Sequence, residues 1–395
     1  MSYLFNVSGI IAEFNPFHNG HKYLLEKAKS ESEAVVCVMS GSFVQRGEPA
    51  ILPKHLRAKA AISCGADLVI ELPAPWSLAR ARDFALGGVF LLKNCLANTL
   101  VFGSECGDTE LLLRAANMEK NDMFKEFLKR ELEKGITYAA ARQNTVASID
   151  SDAASVLSQP NNILATEYIS AAQNLNFSPR FLTVKRVGSN HDSAETENEY
   201  ASASFLRENF EQKVMQGFTP DEILSLYKKA LKNGEICDYS RFSTASTSII
   251  RFKEKLDFES LSDVSEGLDF SLYKASRTGA DFDGMCNNAK SKRYTLARIR
   301  RLFCLAALGI DKTVQEGLPP YIRVLGMTDK GAELLGHISK SSSLPIIARP
   351  ADAKKLDGYA KKVFNSELAA SDMQAFCFKN PQPCGYELTK KIVKG

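Results

Sequence analysis

Apolar segments of six or seven residues alternate with amphipathic segments through the first half of the chain. The apolar segments are rich in β-branched residues and are apolar on both faces, as in strands of a sheet covered on both sides. They are residues 7–12, 34–39, 66–72, 98–103 and 180–186, and helical periodicity fills residues 19–31, 54–64, 80–94, 109–133 and 161–174. This order predicts an α/β fold with a doubly wound parallel sheet, whose ligands bind beyond the carboxyl ends of the strands.

The second half of the chain has a different pattern. Helical stretches dominate residues 220–309, and two strand segments, 321–326 and 344–349, flank a helix at 329–339. Glycine and proline near residues 217–222 indicate a boundary. We therefore expect an α/β domain over residues 1–215 and a mainly helical domain with a small α/β tail over residues 216–395.

Charge is unevenly distributed between these halves. Residues 1–215 carry 22 Lys and Arg against 25 Asp and Glu, whereas residues 216–395 carry 28 against 21. An excess of basic residues indicates a polyanionic partner for the second half, although an ordinary solvated surface explains it about as well.

Composition also indicates where the protein works. The nine cysteines are odd in number and form no C-x-x-C pair, which is typical of a reduced, cytosolic protein. No apolar run approaches the ~18 residues of a membrane helix. The first basic residue is Lys22, so no basic segment of a signal peptide precedes it. We expect a cytoplasmic protein.

Two of the five histidines, His18 and His21, follow the first predicted strand in the string IAEFNPFHNGHKYL. Three residues apart at the start of a helix, they share one face. A helix N-terminus offers N–H donors and partial positive charge to a phosphate, and Gly20 would let that phosphate approach closely. The alternative is a structural pair or half of a metal site, but neither HExxH nor a C-x-x-C pair is present.

The segment HNGH resembles the HxGH signature of the nucleotidyltransferase superfamily, whose HUP-like α/β fold is shared with class I aminoacyl-tRNA synthetases. A second superfamily motif, a Ser-rich turn followed by Arg at a helix start, is matched by ASASFLR, with Ser202, Ser204 and Arg207. Read alone, Ser204 could simply cap a helix and Arg207 could be a surface cation.

Eight further blocks resemble one family, the bacterial tRNA(Met) cytidine acetate ligases, in the same order. They are SGSFVQRGEPAI, GADLVIELP, VFGSECGD, QPNNILATEYI, VKRVGSNHD, SDVSEGL, KSKRYTLARIRRL and YIRVLGM. The resemblance implies activation of acetate with ATP to acetyl-adenylate, with release of pyrophosphate. It further implies acetyl transfer to the exocyclic amine of the wobble cytidine (position 34) of elongator tRNA(Met), and it leaves the oligomeric state open.

The resemblance also implies a set of ATP-binding residues. They are Ile11, Ala12, Glu13, Phe14, Asn15, Pro16, Phe17, His18, Asn19, Gly20, His21, Lys22, Tyr23 and Leu24, together with Gly103, Asn162, Arg186, Val187 and Ser204. Three of them also have simpler explanations when each is considered alone. Gly103 could serve only a turn, Asn162 could cap a helix, and Arg186 could form a surface ion pair.

The expected chemistry fits these residue types. A carboxylate is itself a competent nucleophile toward the α-phosphorus, so positioning and electrostatic stabilisation must supply the rate. We assign His18, His21 and Arg207 as catalytic residues that neutralise charge building on the pyrophosphate. Mg²⁺ is a further candidate neutraliser, without an evident carboxylate cluster for it. Glu13 and His191 are candidate proton acceptors for acetyl transfer.

One departure from the family pattern concerns the segment LARARDFALGG. Arg80 and Arg82 stand where a Gln-Ser-Ala-like sequence is expected. These two arginines could alter the mouth of the pocket.

Residues 290–301, KSKRYTLARIRR, contain six basic side chains and no acid. On a helical wheel the apolar residues share one face, which predicts an amphipathic helix with a cationic outer face. RNA phosphates are the natural partners of such a face, and a merely solvated surface is the alternative. The candidate RNA-binding residues are Lys290, Lys292, Arg293, Arg298, Arg300 and Arg301.

Two other functions fit part of the pattern. An adenylyltransferase that makes a dinucleotide-type cofactor explains HNGH and ASASFLR, but not the basic helical half. The second alternative is a nucleotide-sensing RNA-binding protein that catalyses no reaction.

Overall fold

The computed structural model describes residues 5–118, 122–186, 202–265 and 267–395. The strands are β1 (Val7–Ala12), β2 (Ala34–Ser40), β3 (Phe43–Val44), β4 (Glu48–Pro49), β5 (Leu68–Leu72), β6 (Thr99–Ser104), β7 (Arg180–Lys185), β8 (Ile322–Met327), β9 (Ile346–Ile347) and β10 (Val393–Lys394).

The helices of the first half are α1 (Asn19–Ser30), α2 (Lys54–Ser63), α3 (Ala74–Ser77), α4 (Ala81–Asn94), α5 (Thr109–Asn117), α6 (Asp122–Glu133), α7 (Tyr138–Ile149), α8 (Ser151–Val156), α9 (Pro160–Asn174), α10 (Ala203–Glu208) and α11 (Gln212–Phe218). Those that follow are α12 (Asp221–Asn233), α13 (Tyr239–Arg251), α14 (Lys255–Glu259), α15 (Leu268–Thr278), α16 (Phe282–Ala289), α17 (Leu296–Leu308), α18 (Lys312–Gln315), α19 (Asp329–Ser341) and α20 (Gly358–Phe376).

The main sheet has the strand order β10-β8-β5-β2-β1-β6-β7, with β9 beside β8. The five strands from β5 to β7 are parallel, as predicted. The order reverses between β1 and β6, because the chain moves outward from β1 to β2 and β5 and then returns to β6. In open α/β sheets the crevice at such a reversal is where ligands bind.

Both faces of the sheet are covered, as the apolar strands predicted. In β2, Val36 and Val38 belong to one apolar core, whereas Val35, Cys37 and Met39 belong to the other. Successive side chains of a strand point to opposite faces. A strand buried on both sides is therefore apolar throughout, and the doubly wound α/β fold is confirmed.

The predicted elements of the first half lie within two residues of the observed ones, with one exception. Two helices, α5 and α6, are described where one was expected over residues 109–133. The helices α7 and α8 were not predicted.

The C-terminal α/β tail joins the same sheet as the first half. Strand β8 pairs antiparallel with β5 and parallel with β9 and β10. The helices α12 to α17 lie between in sequence, and they confirm the mainly helical character of residues 220–309. The boundary near residue 215 stays a prediction. Within the described ranges, no helix is long and apolar enough to span a bilayer.

A buried ionic cluster fastens this tail to the sheet. Nζ of Lys54, on α2, lies 2.5 Å from Glu71 of β5, 2.9 Å from Glu367 of α20 and 2.6 Å from Glu387. Arg323 of β8 lies 2.8 Å from Glu387. All five side chains are at most 4% exposed. Such a cluster is stable only when complete, because a lost partner leaves a buried charge unpaired.

Candidate functional site

The loop that follows β1 is held by a buried arginine. Arg57 of α2 is 0% exposed and donates to the carbonyl oxygens of Glu13 (2.7 Å), Ser40 (2.9 Å) and Leu52 (3.1 Å). It thereby joins the carboxyl ends of β1 and β2. Phe14 adopts a left-handed backbone conformation at φ 48°, which is strained for a residue with a side chain. Packing of the buried Phe14 ring against His21, centroids 5.0 Å apart, helps to hold it.

His18 and His21 form the N-terminal cap of α1. Nδ1 of His18 accepts the Gly20 N–H at 3.1 Å, and Nδ1 of His21 accepts the His18 N–H at 3.3 Å. The arrangement is a capping box built from two imidazoles. The two rings stack with centroids 3.8 Å apart. Since each Nδ1 is an acceptor, the proton of each neutral ring is on Nε2, which is left to donate.

The cap corrects one expectation. The Gly20 N–H donates to Nδ1 of His18. The His21 N–H donates to the carbonyl oxygen of His18. The donors left free at this helix start are therefore the Nε2–H groups of the two rings more than these backbone N–H groups.

Both imidazoles are neutral at physiological pH. Burial, together with the smaller effects of the nearby cations Arg186 and Arg207, lowers the pKa of His18 to about 3. Burial and the adjacent His18 ring hold the pKa of His21 well below its ordinary value. Neutral rings donate hydrogen bonds without carrying a charge that must be buried.

Arg207 of α10 lies against the same loop. It donates to the carbonyl oxygen of Asn15 at 2.9 Å and to Oγ of Ser204 at 3.1 Å. Its Nε lies 3.2 Å from Oε1 of Glu48. Ser202 caps α10 by accepting the N–H of Phe205. Ser204 therefore orients the arginine, rather than capping the helix.

Gly103 lies at the end of β6, the neighbour of β1, and Arg186 follows β7, the next strand outward. A Cβ at Gly103 would lie 3.5 Å from Cγ of Arg186, an ordinary contact. The protein's own packing therefore does not demand glycine here, whereas a nucleotide lying on this strand end would. The N–H of Arg186 donates to the carbonyl oxygen of Ser104 at 2.9 Å. Val187 and His191 lie outside the described residues.

Asn162 supports the loop after β6. Its side chain is buried, and Oδ1 accepts the N–H groups of Glu105 (2.9 Å) and Cys106 (3.2 Å). In return the Glu105 carboxylate accepts the N–H groups of Asn161 and Asn162 at the start of α9. Asn162 fixes the shape of this loop, at the edge where Gly103 lies.

The crevice at the strand-order reversal thus brings together His18, His21, Arg186, Arg207 and Glu13. A family model described as HIGH nucleotidyl transferase matches residues 5–387. The tRNA(Met) cytidine acetate ligase of Thermoanaerobacter sp. (strain X514) is 37% identical, over 98% of this chain and 99% of its own length. The tRNA(Met) cytidine acetate ligase of Caldanaerobacter subterraneus subsp. tengcongensis is 38% identical, over 94% of this chain and 95% of its own length. The chain belongs to the tRNA(Met) cytidine acetate ligase family.

Solved structures of one member of this family superpose closely. Thermotoga maritima TmcAL in its apo form I matches with a TM-score of 0.91 and 29% identity, over 98% of this chain and 99% of that one. The form II structure bound with alpha-thio ATP matches with a TM-score of 0.89 over the same shares. The fold therefore agrees with that of a ligase family member.

Other residues of the 11–24 segment have mainly structural contacts. Phe17 is fully buried, and its carbonyl oxygen accepts the hydroxyl of Tyr227 at 2.9 Å. Nζ of Lys22 lies 2.5 Å from Glu222 of α12. Tyr23 lies under the ammonium group of Lys27. The Phe17 ring also packs against His21, with centroids 5.5 Å apart. Contact of these residues with ATP stays a prediction.

The basic segment 290–301 is arranged differently from the expected helix. The helix α17 begins at Leu296, after residues 290–295 that are not helical, so a continuous cationic helix from residue 290 is wrong. Lys290, Lys292 and Arg293 are exposed. Arg300, in contrast, is largely buried and lies 2.5 Å from Asp283.

The β3–β4 hairpin was missed as a part of the site. The N–H of Gln45 donates to Oε1 of Glu13 at 2.7 Å, and Glu48 lies between Arg207 and Arg300. At Gly47, φ is 78°, and a Cβ would lie 2.7 Å from the backbone of α17. The short strands give little periodicity, so only the block SGSFVQRGEPAI signalled this segment.

The carboxyl group of Glu13 has an unusual environment. Burial raises its pKa, against the opposing effects of the Gln45 N–H and of Arg207. A raised pKa brings a carboxylate closer to the proton affinity that a general base needs. Across the described residues, no group of three or more His, Cys, Asp or Glu side chains is arranged to hold a metal ion.

Proposed function

We propose that this protein is an ATP-dependent ligase that activates acetate and transfers its acetyl group to the wobble cytidine of elongator tRNA(Met). The observation that carries the proposal is the stacked pair of neutral imidazoles beside Arg207 at the strand-order reversal. The identity with curated acetate ligases over nearly the whole chain supports it.

In the first step, an acetate oxygen attacks the α-phosphorus of ATP. The bond from the α-phosphorus to the bridging oxygen breaks, and pyrophosphate leaves with the electron pair. Nε2–H of His18, Nε2–H of His21 and the Arg207 guanidinium stabilise the charge that accumulates on the leaving group. No proton moves in this step, so neutral imidazoles that act as donors are sufficient.

ATP would lie across the ends of β1, β6 and β7. We propose that the segment 11–24, Gly103, Asn162, Arg186, Val187 and Ser204 form its site, with Gly103 leaving room for the nucleoside and Asn162 holding the loop beside it. Mg²⁺ is part of the proposal. Its ligands would be mainly phosphate oxygens and water, as is common for this ion.

In the second step, N4 of cytosine attacks the acetyl carbonyl carbon. The bond from that carbon to the AMP oxygen breaks, AMP leaves, and N4 loses a proton. Glu13 is our candidate acceptor, because its raised pKa suits the role and it lies at the end of β1. Lys290, Lys292, Arg293, Arg298, Arg300 and Arg301 are our candidates for tRNA contacts. A cytoplasmic location, consistent with nine free cysteines, completes the proposal.

Mass spectrometry of elongator tRNA(Met), incubated with protein, ATP and acetate, tests the proposal. Acetylated cytidine at the wobble position is the expected product. Exchange of radiolabelled pyrophosphate into ATP separates the alternatives. Acetate-dependent exchange supports the ligase, exchange only with another substrate indicates a cofactor adenylyltransferase, and no exchange indicates a nucleotide sensor.

A further inference from the structure

Three arginines line a cleft between α4 and the helical half of the chain. Arg80 is the N-cap residue of α4, and Arg298 and Arg301 lie on the first two turns of α17. Two acidic residues, Asp83 and Asp263, line the cleft with them. The charged lining carries three positive and two negative side chains, so a single positive charge remains in excess.

The acidic residues position two of these arginines without using all their donors. Asp263 lies 3.1 Å from Arg298 and 3.8 Å from Arg80, and Arg80 also donates to Asp83 at 2.7 Å. Nε of Arg298 is buried and has no hydrogen-bond partner in the described part of the chain. A buried guanidinium nitrogen without an acceptor is costly, so the charge of Arg298 is only partly compensated inside the cleft.

Arg301 is the least neutralised of the three. Its NH1 donates to the carbonyl oxygen of Gln45 at 3.4 Å, and no carboxylate within the described ranges lies within 4 Å of it. Burial lowers the pKa of this guanidinium, and Arg298 lowers it further, while Asp263 opposes both. An anion at the cleft would offset this repulsion between like charges.

The cleft lies next to the proposed acetyl-transfer site. The carbonyl oxygen of Gln45 faces Arg301, and the N–H of the same residue donates to Glu13 at 2.7 Å. A single residue of the β3–β4 hairpin therefore separates the arginines from the end of β1. An RNA strand that delivers a base to Glu13 must place its backbone close by.

We propose that this cleft binds a backbone phosphate of the anticodon loop adjacent to the wobble cytidine. The inference rests on the proposed function. The cleft volume is about 10 Å³, room for a water molecule and too small for a base. The phosphate therefore binds at the mouth, where Arg80 is 51% exposed and can turn toward it. Guanidinium groups bind phosphate oxygens in pairs, which fixes the strand's position as well as its affinity.

The test uses anticodon stem-loop RNAs in which one phosphate flanking the wobble cytidine is replaced by an uncharged methylphosphonate. Each RNA is titrated against the wild-type protein and the Arg80→Ala variant. Arg80 is half-exposed, so its replacement leaves the fold intact, which thermal melting verifies. Arg82→Ala is the matched control, because Arg82 is exposed, two residues away, and outside the cleft.

We expect one methylphosphonate to weaken wild-type binding about three- to tenfold and to weaken Arg80→Ala binding much less, because the partner is already missing. The log–log salt slope of Arg80→Ala should be shallower by about 0.7, the value for one single-stranded phosphate, and Arg82→Ala should match the wild type. Equal losses in wild type and Arg80→Ala would overturn the inference. Wild-type exchange with acetate but without RNA tests the proposed function separately.

Discussion

The carboxylate of Glu48 lies 3.2 Å from Nε of Arg207. A terminal nitrogen of Arg300 lies 3.9 Å away on its other side. The acid thus orients the arginine that we assign to the pyrophosphate, but it also opposes the negative charge of a triphosphate. For Glu48→Gln, which keeps the shape and removes the charge, we expect ATP affinity to rise about three- to tenfold. Isothermal titration calorimetry measures the change.

A matched control is Glu254→Gln, an equally conservative change at a carboxylate 74% exposed that lies 3.9 Å from Arg277. Its ATP affinity should equal that of the wild type. Weaker ATP binding by Glu48→Gln would mean that orientation of Arg207 outweighs the repulsion.

His21→Gln separates the catalytic role of this histidine from its structural one. A glutamine at this position can still accept the His18 N–H and complete the capping box. We expect acetate-dependent pyrophosphate exchange to fall by about 10²–10³, the usual effect of losing one transition-state donor. The free energy of unfolding, from urea titration, should change by less than about 2 kcal/mol. Exchange within tenfold of wild type would remove His21 from the mechanism.

The histidine pair could be predicted from sequence because its signal is local. A strand, a short loop and HNGH lie together within a few residues, and the β-α alternation places them at the carboxyl edge of the sheet. Long-range partners left no such signal. Arg57 follows an ordinary helical pattern, and only the folded chain shows that it donates to Glu13 and Ser40. The pairing of β8 with β5 likewise joins segments about 250 residues apart.

The charge pattern of α17 gave a wrong prediction because the partners of its arginines are also distant in sequence. The run of arginines on α17 was expected to face solvent, yet Arg300 is only 16% exposed and pairs with Asp283 and Glu48. The acids that neutralise it lie elsewhere in the chain. Sequence alone counts the cations of a segment, but their partners depend on tertiary packing.

Lys54→Met tests the ionic cluster that attaches the C-terminal tail. The ammonium group has three buried carboxylates within 2.9 Å, and its loss leaves Arg323 as the remaining cation of the cluster for all three. We expect the free energy of unfolding to fall by about 3–5 kcal/mol, as measured by urea denaturation. Lys255→Met is the control, since Lys255 is 46% exposed and also contacts two acids. The Lys255→Met change should lower the free energy of unfolding by less than about 1 kcal/mol. A similar loss in both variants would show that the buried cluster contributes no more than an exposed ion pair.

His55, next in sequence to Lys54, makes stability depend on pH. Both its ring nitrogens are buried and have no hydrogen-bond partner among the described residues. Burial lowers its pKa to about 3, an effect that Glu387 opposes and Lys54 reinforces. The unfolded chain takes up this proton near pH 6.5 and the folded chain does not. The contribution of His55 to the free energy of unfolding is therefore complete above pH 6.5 and is lost progressively as pH falls toward 3.

The His55→Leu variant removes that proton uptake while keeping an apolar side chain in the site. Between pH 6.5 and 5 the wild-type free energy of unfolding should fall by roughly 1.5 kcal/mol more than that of His55→Leu. Urea titrations of both proteins at the two pH values measure the difference. His18 acts in the same direction in both proteins, since its pKa is also about 3, so it cancels in the comparison. Identical pH dependence in the two proteins would show that the imidazole takes up its proton in the folded state.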